Sequence, residues 1–538
     1  MRRIAFAAAL AIAAMSFAPA TGASAAPASA ARHVGAPRTS GSAHTVPTAV
    51  TYPSRARLEY AAKARFRARE AATSEHRPPF PYRPGTGDTG GGSVWTPATP
   101  PPVFGAPIEL AAPPDAVAGP EGSFLSAVSC TSLGNCVAVG QYNNSAGGYA
   151  PMILTETRGV WDTPQEVTLP PDAADPAAQF SALIGVECTS LGNCVAVGQY
   201  FNTDGNGQLL VVTETHGVWG VGIAPKLPAN AMTEPGSQYA WLNQLDCPAP
   251  GNCVATGGYA ANGASMNGGG LVVTEHGGVW ARAIQIALPP NATTATSGPK
   301  NPAAGTTSMG GVSCLSVGNC VAEGQYTDTN FNSQPMIATE TDGAWSRAIE
   351  LALPANAATA TGAQNGFLAN LVCFRAGDCE VGAGYNDLDG NAQPAYFRQA
   401  RGVWKQGVEL TIPANAATAP GTQSAYLNGF ECTSPGNCVA FAAYIDVDGS
   451  EQPLAITETG GVWARGLEPP LPSNAMTTGG AQDANIYGMS CSGPGLCAAV
   501  GNYVDSDGNL QAMAYATKPA RQPVCAPPPA NPERGHRS

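Results

Sequence analysis

Residues 187–200 read ECTSLGNCVAVGQY, and varied copies of this stretch recur seven times along the 538-residue chain. Each copy carries two cysteines separated by five residues. The first cysteines of successive copies lie 58, 59, 67, 59, 59 and 59 residues apart. A fixed period of this size is typical of a fold that repeats one supersecondary unit. The seven pairs are Cys130/Cys136, Cys188/Cys194, Cys247/Cys253, Cys314/Cys320, Cys373/Cys379, Cys432/Cys438 and Cys491/Cys497.

Each repeat contains four short segments with the composition of β-strands, separated by turn residues. The first ends at the first cysteine and the second follows the second cysteine. The third ends in Thr-Glu-Thr, and the fourth opens with Trp and ends in Leu-Pro. Four strands in each of seven repeats predict an all-β chain folded as a seven-bladed β-propeller. A tyrosine six residues after every second cysteine is expected to pack identically in each blade: Tyr142, Tyr200, Tyr259, Tyr326, Tyr385, Tyr444 and Tyr503.

The ends of the chain indicate how the ring closes. Only six repeats contain the fourth-strand tryptophan, and the seventh stops near Tyr515 without one. A comparable segment with Trp95 precedes the first cysteine. We therefore expect residues 92–111 to supply the outer strand of the last blade, which pairs edges that would otherwise stay open.

The repeat pattern S-C-x-S-x-G-N-C-V-A-V-G-x-Y resembles the repeats of secreted actinobacterial propeller-like proteins, over residues ~92–516. That resemblance implies no particular chemistry. The cysteine spacing does not match a zinc knuckle, and no histidine lies near any pair. Seven disulfides are the expected outcome in an exported protein, each stabilising the fold by about 2 kcal/mol. The fifteenth cysteine, Cys525, belongs to no pair and is either a free thiol or an intermolecular link.

The N-terminus predicts export. Arg2 and Arg3 precede the apolar run 4–15, and Ala23-Ser24-Ala25 forms a small-residue cleavage site, so residues 1–25 are interpreted as a signal peptide. Residues 26–91 are expected to form a basic linker, 92–516 the propeller and 517–538 a disordered tail. No later run of ~18 apolar residues predicts a membrane-spanning helix. We expect a secreted protein, extracellular or loosely associated with the cell surface.

Charge is segregated along the chain. Residues 26–100 hold ten Lys or Arg and four Asp or Glu, a net of +6, whereas residues from 101 onward hold fourteen and thirty-four, a net of −20. An acidic body is a poor partner for nucleic acid. The basic arm 55–69 is either a short helix that contacts an anionic surface or a solvated linker.

Propeller geometry places the cysteine loops and the Glu-Thr-x-Gly turns on one face. The opposite face carries the Asp-rich turns and the long connections between blades, and we expect a ligand there. Trp241 and Tyr239 are candidate stacking residues near the longest connection, 289–308; the alternative is a core tryptophan beside a solvated loop. Glu323 stands where other repeats have mostly apolar residues. It is expected either to be desolvated, with a raised pKa, or to face a wet funnel.

Acidic turns such as Asp387-Leu-Asp389-Gly resemble the first half of a calcium loop. The bidentate glutamate of the second half is missing, because Arg398, Thr457 and Ala516 stand at that position. The alternative is a hairpin turn in which Asp, Gly and Asn supply the backbone conformation. No cofactor is therefore expected, with weakly bound calcium as the alternative. The candidate ligands are Asp387, Asp389, Asp446, Asp448, Asp505 and Asp507.

No nucleophile elbow or phosphate-binding loop is present, and no catalytic residue can be assigned. The leading hypothesis is a non-catalytic binding or interaction scaffold for an extracellular protein or glycan. The alternative is an extracellular carbohydrate-active hydrolase or lyase that uses carboxylates in the funnel, because glycosidase chemistry needs only two acids. A third hypothesis is a purely structural envelope protein tethered by the basic arm.

Overall fold

The computed structural model describes residues 102–117, 122–261, 269–293, 307–493 and 495–519. The predicted signal peptide, the linker with its basic arm 55–69, Trp95 and Cys525 lie outside these residues. So does most of the 289–308 connection. Among the described residues, no helix is long and apolar enough to cross a membrane.

Seven antiparallel sheets form the blades of a propeller, which confirms the predicted fold class. We number the blades 1 to 7 by their cysteine pairs. The inner strands are Ser123–Ser132, Ala182–Ser190, Ala240–Ala249, Ser308–Ser316, Phe367–Arg375, Leu427–Ser434 and Asn485–Gly493. The second strands are Asn135–Asn143, Asn193–Phe201, Asn252–Tyr259, Asn319–Thr327, Asp378–Asn386, Asn437–Ile445 and Leu496–Val504. The third strands are Tyr149–Thr157, Gly207–Thr215, Gly269–His276, Ser333–Thr341, Ala392–Ala400, Glu451–Thr459 and Leu510–Pro519.

The outer strand of each blade is short and interrupted, which limits the open edge. Its first pieces are Val160–Trp161, Val218–Trp219, Val279–Trp280, Ala344–Trp345, Val403–Trp404, Val462–Trp463 and, for blade 7, Pro102–Phe104. Its second pieces, in five blades, are Gln165–Glu166, Ile284–Gln285, Ile349–Glu350, Val408–Glu409 and Ile108–Glu109. A single 3-10 turn, Pro176–Ala178, interrupts the β-structure of the described chain.

The core lies between neighbouring blades, because both faces of each sheet are apolar and pack on the next sheet. All seven recurring tyrosines have 0% exposed surface. Each hydroxyl bonds to polar side chains at the blade periphery. In blade 5 the Tyr385 hydroxyl lies 3.0 Å from Asn356 Oδ1 and 2.6 Å from Glu409 Oε2. The tyrosine therefore fills the core and also fastens the connection between blades.

The N-terminal segment closes the ring as predicted. Pro102–Phe104 pairs with residues 517–519, and Ile108–Glu109 pairs with residues 513–514. Phe104 lies opposite Thr517, the position that Trp219 occupies opposite Glu214 in blade 2. The aromatic residue of the closing strand is therefore Phe104, and residues 517–519 belong to the last strand.

The two faces differ as the repeat predicts. On one face, which we call the cysteine face, the cysteine hairpins of blades 1 to 6 bond to the turn after the third strand; in blade 2, Gly217 N donates to Gly192 O at 2.9 Å. Gly192 has a φ of +74°, which explains the Gly-Asn of this hairpin. The opposite face, with the Asp-rich turns and the connections between blades, is the turn face.

All seven predicted disulfides are present, with Cα–Cα distances of 4.0 to 4.1 Å. Each one links the inner strand of a blade to its second strand. The first cysteine of each pair is half-buried. The second cysteine belongs to the apolar core between blades and is only 1 to 2% exposed, so the pairs are structural links and not parts of an accessible site. These buried second cysteines are Cys136, Cys194, Cys253, Cys320, Cys379, Cys438 and Cys497.

Candidate functional site

The mouth of the turn face differs from blade to blade. The cysteine pair and the packed tyrosine are identical in all blades. In contrast, the residue six positions before the first cysteine differs in nearly every blade. Around the ring it is Phe124, Ala182, Trp241, Ser308, Phe367, Tyr426 and Asn485. The seven blades therefore build an asymmetric mouth on a symmetric frame.

Trp241 and Tyr239 lie together at this mouth, in blade 3, with ring centroids 5.3 Å apart. Trp241 stands opposite Gly258 in the strand register, and a Cβ on Gly258 would fall 2.5 Å from the indole. The glycine therefore makes room for the indole to lie over the sheet. Both predicted ligand residues are half-exposed.

Three aromatic residues that the sequence analysis missed continue this cluster across blades 2 and 1. Phe201 lies 6.0 Å from Tyr239, Phe180 lies 6.2 Å from Phe201, and Tyr149 lies 5.1 Å from Phe180, between ring centroids. All three are half-exposed. We call these five residues, Tyr149, Phe180, Phe201, Tyr239 and Trp241, the aromatic strip. Phe180 and Tyr239 occupy the same repeat position, eight residues before the first cysteine. Aligning the repeats could therefore have identified Phe180 as a second aromatic residue at the mouth.

The turn face is acidic. Each connection between blades is counted from its Leu-Pro onward. Within these limits, the described turns and connections of the turn face contain no Lys or Arg. They contain Asp115, Asp172, Asp175, Asp204, Glu234, Asp328, Asp387, Asp389, Asp446, Asp448, Glu451, Asp483, Asp505 and Asp507. The cysteine face, by comparison, carries Arg158, Arg375 and Arg401. The electrostatic potential of the turn face therefore disfavours anionic ligands.

The six candidate calcium ligands fall into two groups. The first aspartate of each turn is buried and serves the turn itself: Asp387 Oδ1 accepts hydrogen bonds from Asp389 N and Asn391 N at 2.9 Å, and Oδ2 accepts one from Gln393 Nε2 at 3.0 Å. Asp446 and Asp505 make the same bonds. The second aspartates, Asp389, Asp448 and Asp507, are exposed. Hairpin geometry thus accounts for the motif, and calcium binding stays a prediction.

Glu323 is desolvated, and the expectation of a wet funnel around it is wrong. Its exposed fraction is 1%, and its Oε1 accepts a 2.5 Å hydrogen bond from Gly311 N. Oε2 has no hydrogen-bond partner. Burial raises the pKa of this carboxyl to about 8, although hydrogen bonds from Gly311 and Asn370 oppose the shift. Gly310 and Gly311 make the space, because a Cβ on Gly310 would lie 2.5 Å from Oε1.

A second unusual acid, Glu380, lies between blades 5 and 6. It is 1% exposed, stands opposite Arg398 in the strand register, and lies 3.4 Å from Arg398 Nε. Cys438 Sγ also lies near this carboxyl group, at 3.1 Å. Glu380, Cys432 and Cys438 bring metal-ligating atom types together, but both cysteines are in a disulfide and offer no thiolate. Burial and the nearby Glu380 raise the pKa of Glu458 to about 7.

The seven inner strands enclose a central cavity of about 340 Å³. Glu187, Asp246 and Glu431 line it, each immediately before a first cysteine. Burial and their mutual repulsion raise the pKa values of Glu187 and Glu431 to about 8. Asp246 Oδ2 also accepts a 2.6 Å bond from Cys314 N of the next blade, as Ser129 Oγ does from Cys188 N at 3.0 Å. This position therefore ties neighbouring blades together around the axis.

A polar cluster lies where blades 6 and 7 meet on the turn face. An isolated backbone β-bridge joins Glu451 to Asp483, and Asn485 Nδ2 donates to Glu451 Oε1 at 3.1 Å. Burial and the charge of Asp483 raise the pKa of Glu451 to about 8. Tyr487, 8% exposed, lines the central cavity nearby and has a raised pKa through burial and these two carboxylates. The cluster combines a protonated acid with a neighbouring carboxylate.

The fold and this mouth define a disulfide-bonded seven-bladed propeller with an asymmetric turn face. No family model matches the chain, and no curated protein is significantly similar to it. Among solved structures, it resembles an ulvan lyase bound to a sulfated glucuronic acid–rhamnose ligand, at 12% identity and a TM-score of 0.44, over 76% of this chain and 95% of that one.

Two other solved structures are similar at the same low level. The NanB sialidase from Streptococcus pneumoniae has 10% identity and a TM-score of 0.37, over 77% of this chain and 70% of that one. The fucose-specific lectin from Aleuria aurantia has 11% identity and a TM-score of 0.34, over 65% of this chain and 99% of that one. These resemblances carry no information about the activity of this chain.

Proposed function

We propose that this protein is an exported, non-catalytic binding scaffold whose turn face binds an extracellular glycan. The observation that carries the proposal is a contrast within the repeats: the cysteine pair and the core tyrosine are the same in all seven blades, whereas the residue at the mouth of the turn face, six positions before the first cysteine, changes from blade to blade. A purely structural ring has no need of such asymmetry. Binding sites, by contrast, are normally needed once, on loops held by a rigid frame.

The extracellular location rests on two further observations. The structure holds seven disulfides, which persist in oxidising compartments and are rare in the cytosol. The N-terminal sequence has the features of a secretory signal peptide. Both support export of a folded, disulfide-bonded scaffold.

The test blocks one face at a time. Val447 and Val462 are exposed to nearly the same extent, 70% and 71%, but Val447 lies on the turn face and Val462 on the cysteine face. Each is replaced by Cys in a Cys525→Ser background and coupled to a large polyethylene glycol maleimide. Binding of the full chain is then measured on an array of wall and plant glycans.

We expect the unmodified protein to retain at least one glycan, and the polymer at position 447 to abolish that binding. The polymer at position 462 should leave it unchanged. Loss of binding only from the cysteine-face conjugate, or no retention of any glycan, would overturn the proposal.

A second candidate function is cleavage of a polysaccharide by acid–base catalysis, which the cluster around Glu451 favours. A carboxyl group with a pKa near 8 is protonated at neutral pH and can donate a proton, and Asp483 places a second carboxyl group beside it. Incubation with a polysaccharide panel and measurement of reducing ends or unsaturated products tests this alternative. Turnover that Glu451→Gln abolishes would replace the scaffold proposal, whereas turnover unaffected by that variant would exclude this cluster.

A further inference from the structure

We infer that the aromatic strip is the ligand site of the turn face and that it binds an extended oligosaccharide without acidic groups. The inference rests on the proposed binding function and adds the place and the chemical class of the ligand. It starts from a spatial relationship that the sequence does not show: five aromatic side chains from blades 1, 2 and 3 form one continuous half-exposed strip at the mouth.

The strip extends over five aromatic rings. Successive ring centroids lie 5.1 to 6.2 Å apart with interplanar angles of 42 to 84°, so the rings pack on one another at an angle and present both edges and faces along the strip. The apolar C–H face of a pyranose packs on exposed aromatic surface, and amphipathic Tyr and Trp also offer a polar atom to the hydroxyls. A ligand of several sugar units would therefore contact the strip along its length.

Trp241 is the most suitable stacking residue in the strip. Gly258 beneath it leaves no side chain between the indole and the sheet. The indole is thus held at a fixed height, which reduces the entropy lost on binding.

Charge selects the ligand class. The turns and connections that border the strip carry Asp172, Asp175, Asp204 and Glu234, all exposed, and no Lys or Arg. A uronic acid or sulfated chain would be repelled by these carboxylates. An uncharged or amine-bearing saccharide avoids this repulsion, and an amine would also gain from the aromatic faces.

The chain provides a matched control in blade 5. Phe367 occupies the same repeat position as Trp241, and it lies over Gly384 as Trp241 lies over Gly258. It pairs with Tyr426, at 5.1 Å, on the other side of the mouth, outside the aromatic strip. Trp241→Ala and Phe367→Ala therefore remove equivalent side chains at equivalent sites.

The experiment measures binding of chitohexaose, as an uncharged probe, and of an oligogalacturonide, as an acidic probe, by isothermal calorimetry. We expect the full chain to bind chitohexaose and not the oligogalacturonide. Trp241→Ala should weaken binding about tenfold, equivalent to about 1.4 kcal/mol, and Phe367→Ala should leave it unchanged. Phe201→Leu, which keeps an apolar side chain between the blades, is a second strip variant that guards against a folding defect in Trp241→Ala.

Equal effects of Trp241→Ala and Phe367→Ala, or preference for the acidic probe, would overturn the inference. Glycan binding on the array that is blocked at position 447 but insensitive to both strip variants would refute this site and leave the proposed function standing. No binding to any saccharide would refute both.

Discussion

Phe104 and Thr517 lie directly opposite each other in the antiparallel pairing that closes the ring. These two residues are more than four hundred positions apart in the chain. In every other blade, the corresponding pairing joins residues of the same repeat. Phe104 also packs edge-on against Tyr515, with ring centroids 5.7 Å apart. Its side chain is thus both the outer edge of blade 7 and part of the core between blades 6 and 7.

Removal of the Phe104 side chain should destabilise the pairing that closes the ring. Phe104 is 9% exposed, so Phe104→Ala is expected to lower the free energy of unfolding by about 3 kcal/mol, through lost burial and a cavity. Ile108→Ala, in the same closing segment but at a position that is 49% exposed, should change it by less than about 0.5 kcal/mol. Guanidinium denaturation followed by tryptophan fluorescence measures both. Equal effects would show that the closing segment does not contribute through its buried ring.

Glu323 should make the protein less stable as the pH rises. Its carboxyl has a pKa of about 8 when folded and an ordinary value near 4.5 when unfolded, so the folded state binds the proton more tightly. The stability is therefore complete below about pH 4.5 and is lost progressively as the pH rises through 8, at about 1.4 kcal/mol per pH unit.

Glu323→Gln should remove this contribution while it keeps the acceptor for Gly311 N. Other buried acids, among them Glu187 and Glu431, keep part of the dependence in the variant. Denaturation at about pH 5.5 and about pH 7.5 compares the two slopes. An unchanged slope in the variant would mean that Glu323 is ionised in the folded protein.

Glu380 and Arg398 depart from the repeat together, in directly opposed positions. Most other blades have Val and Thr there. Glu380 is buried but Arg398 is exposed, so the ion pair is only partly desolvated, whereas removal of Arg398 leaves a buried carboxyl without its cation. We expect Glu380→Val with Arg398→Thr to be neutral or to stabilise by about 1 kcal/mol.

Arg398→Thr alone should destabilise, because Glu380 then lacks its cation beside Glu458. A double-mutant cycle in thermal denaturation measures the coupling between the two residues. If the stability changes of the two single variants simply add up in the double variant, Glu380 and Arg398 do not stabilise each other.

The Asp-rich turns should behave as hairpins. Because both carboxylate oxygens of Asp387 already accept hydrogen bonds from the protein, Asp387→Ala is expected to cost about 1 to 2 kcal/mol. Asp389→Ala, which removes an exposed carboxylate, should have little effect on stability. Millimolar calcium should leave the melting temperature of the wild-type protein unchanged. A calcium-dependent rise that Asp389→Ala abolishes would establish the ion site instead.

The sequence by itself determined the frame of this protein. The cysteine spacing, the recurring tyrosine and the shortage of one tryptophan specify seven four-stranded blades and a ring closed by the N-terminal segment, because these features repeat with the period of the fold. Strand pairing within a blade is local, so its pattern can be read along the chain. The sequence pointed to Trp95 as the aromatic residue of the closing strand. In the structure, Phe104 stands where the other blades have their outer-strand tryptophan.

Only the tertiary structure decided which side chains meet around the axis. Tyr149, Phe180 and Phe201 come from two blades and different strands, and nothing in their spacing shows that they join Trp241 and Tyr239. Likewise Glu187, Asp246 and Glu431 converge on one cavity only because the ring closes. The burial of Glu323 depends on Asn370 of the next blade as well as on its own repeat, which is why its environment could not be chosen from that repeat alone.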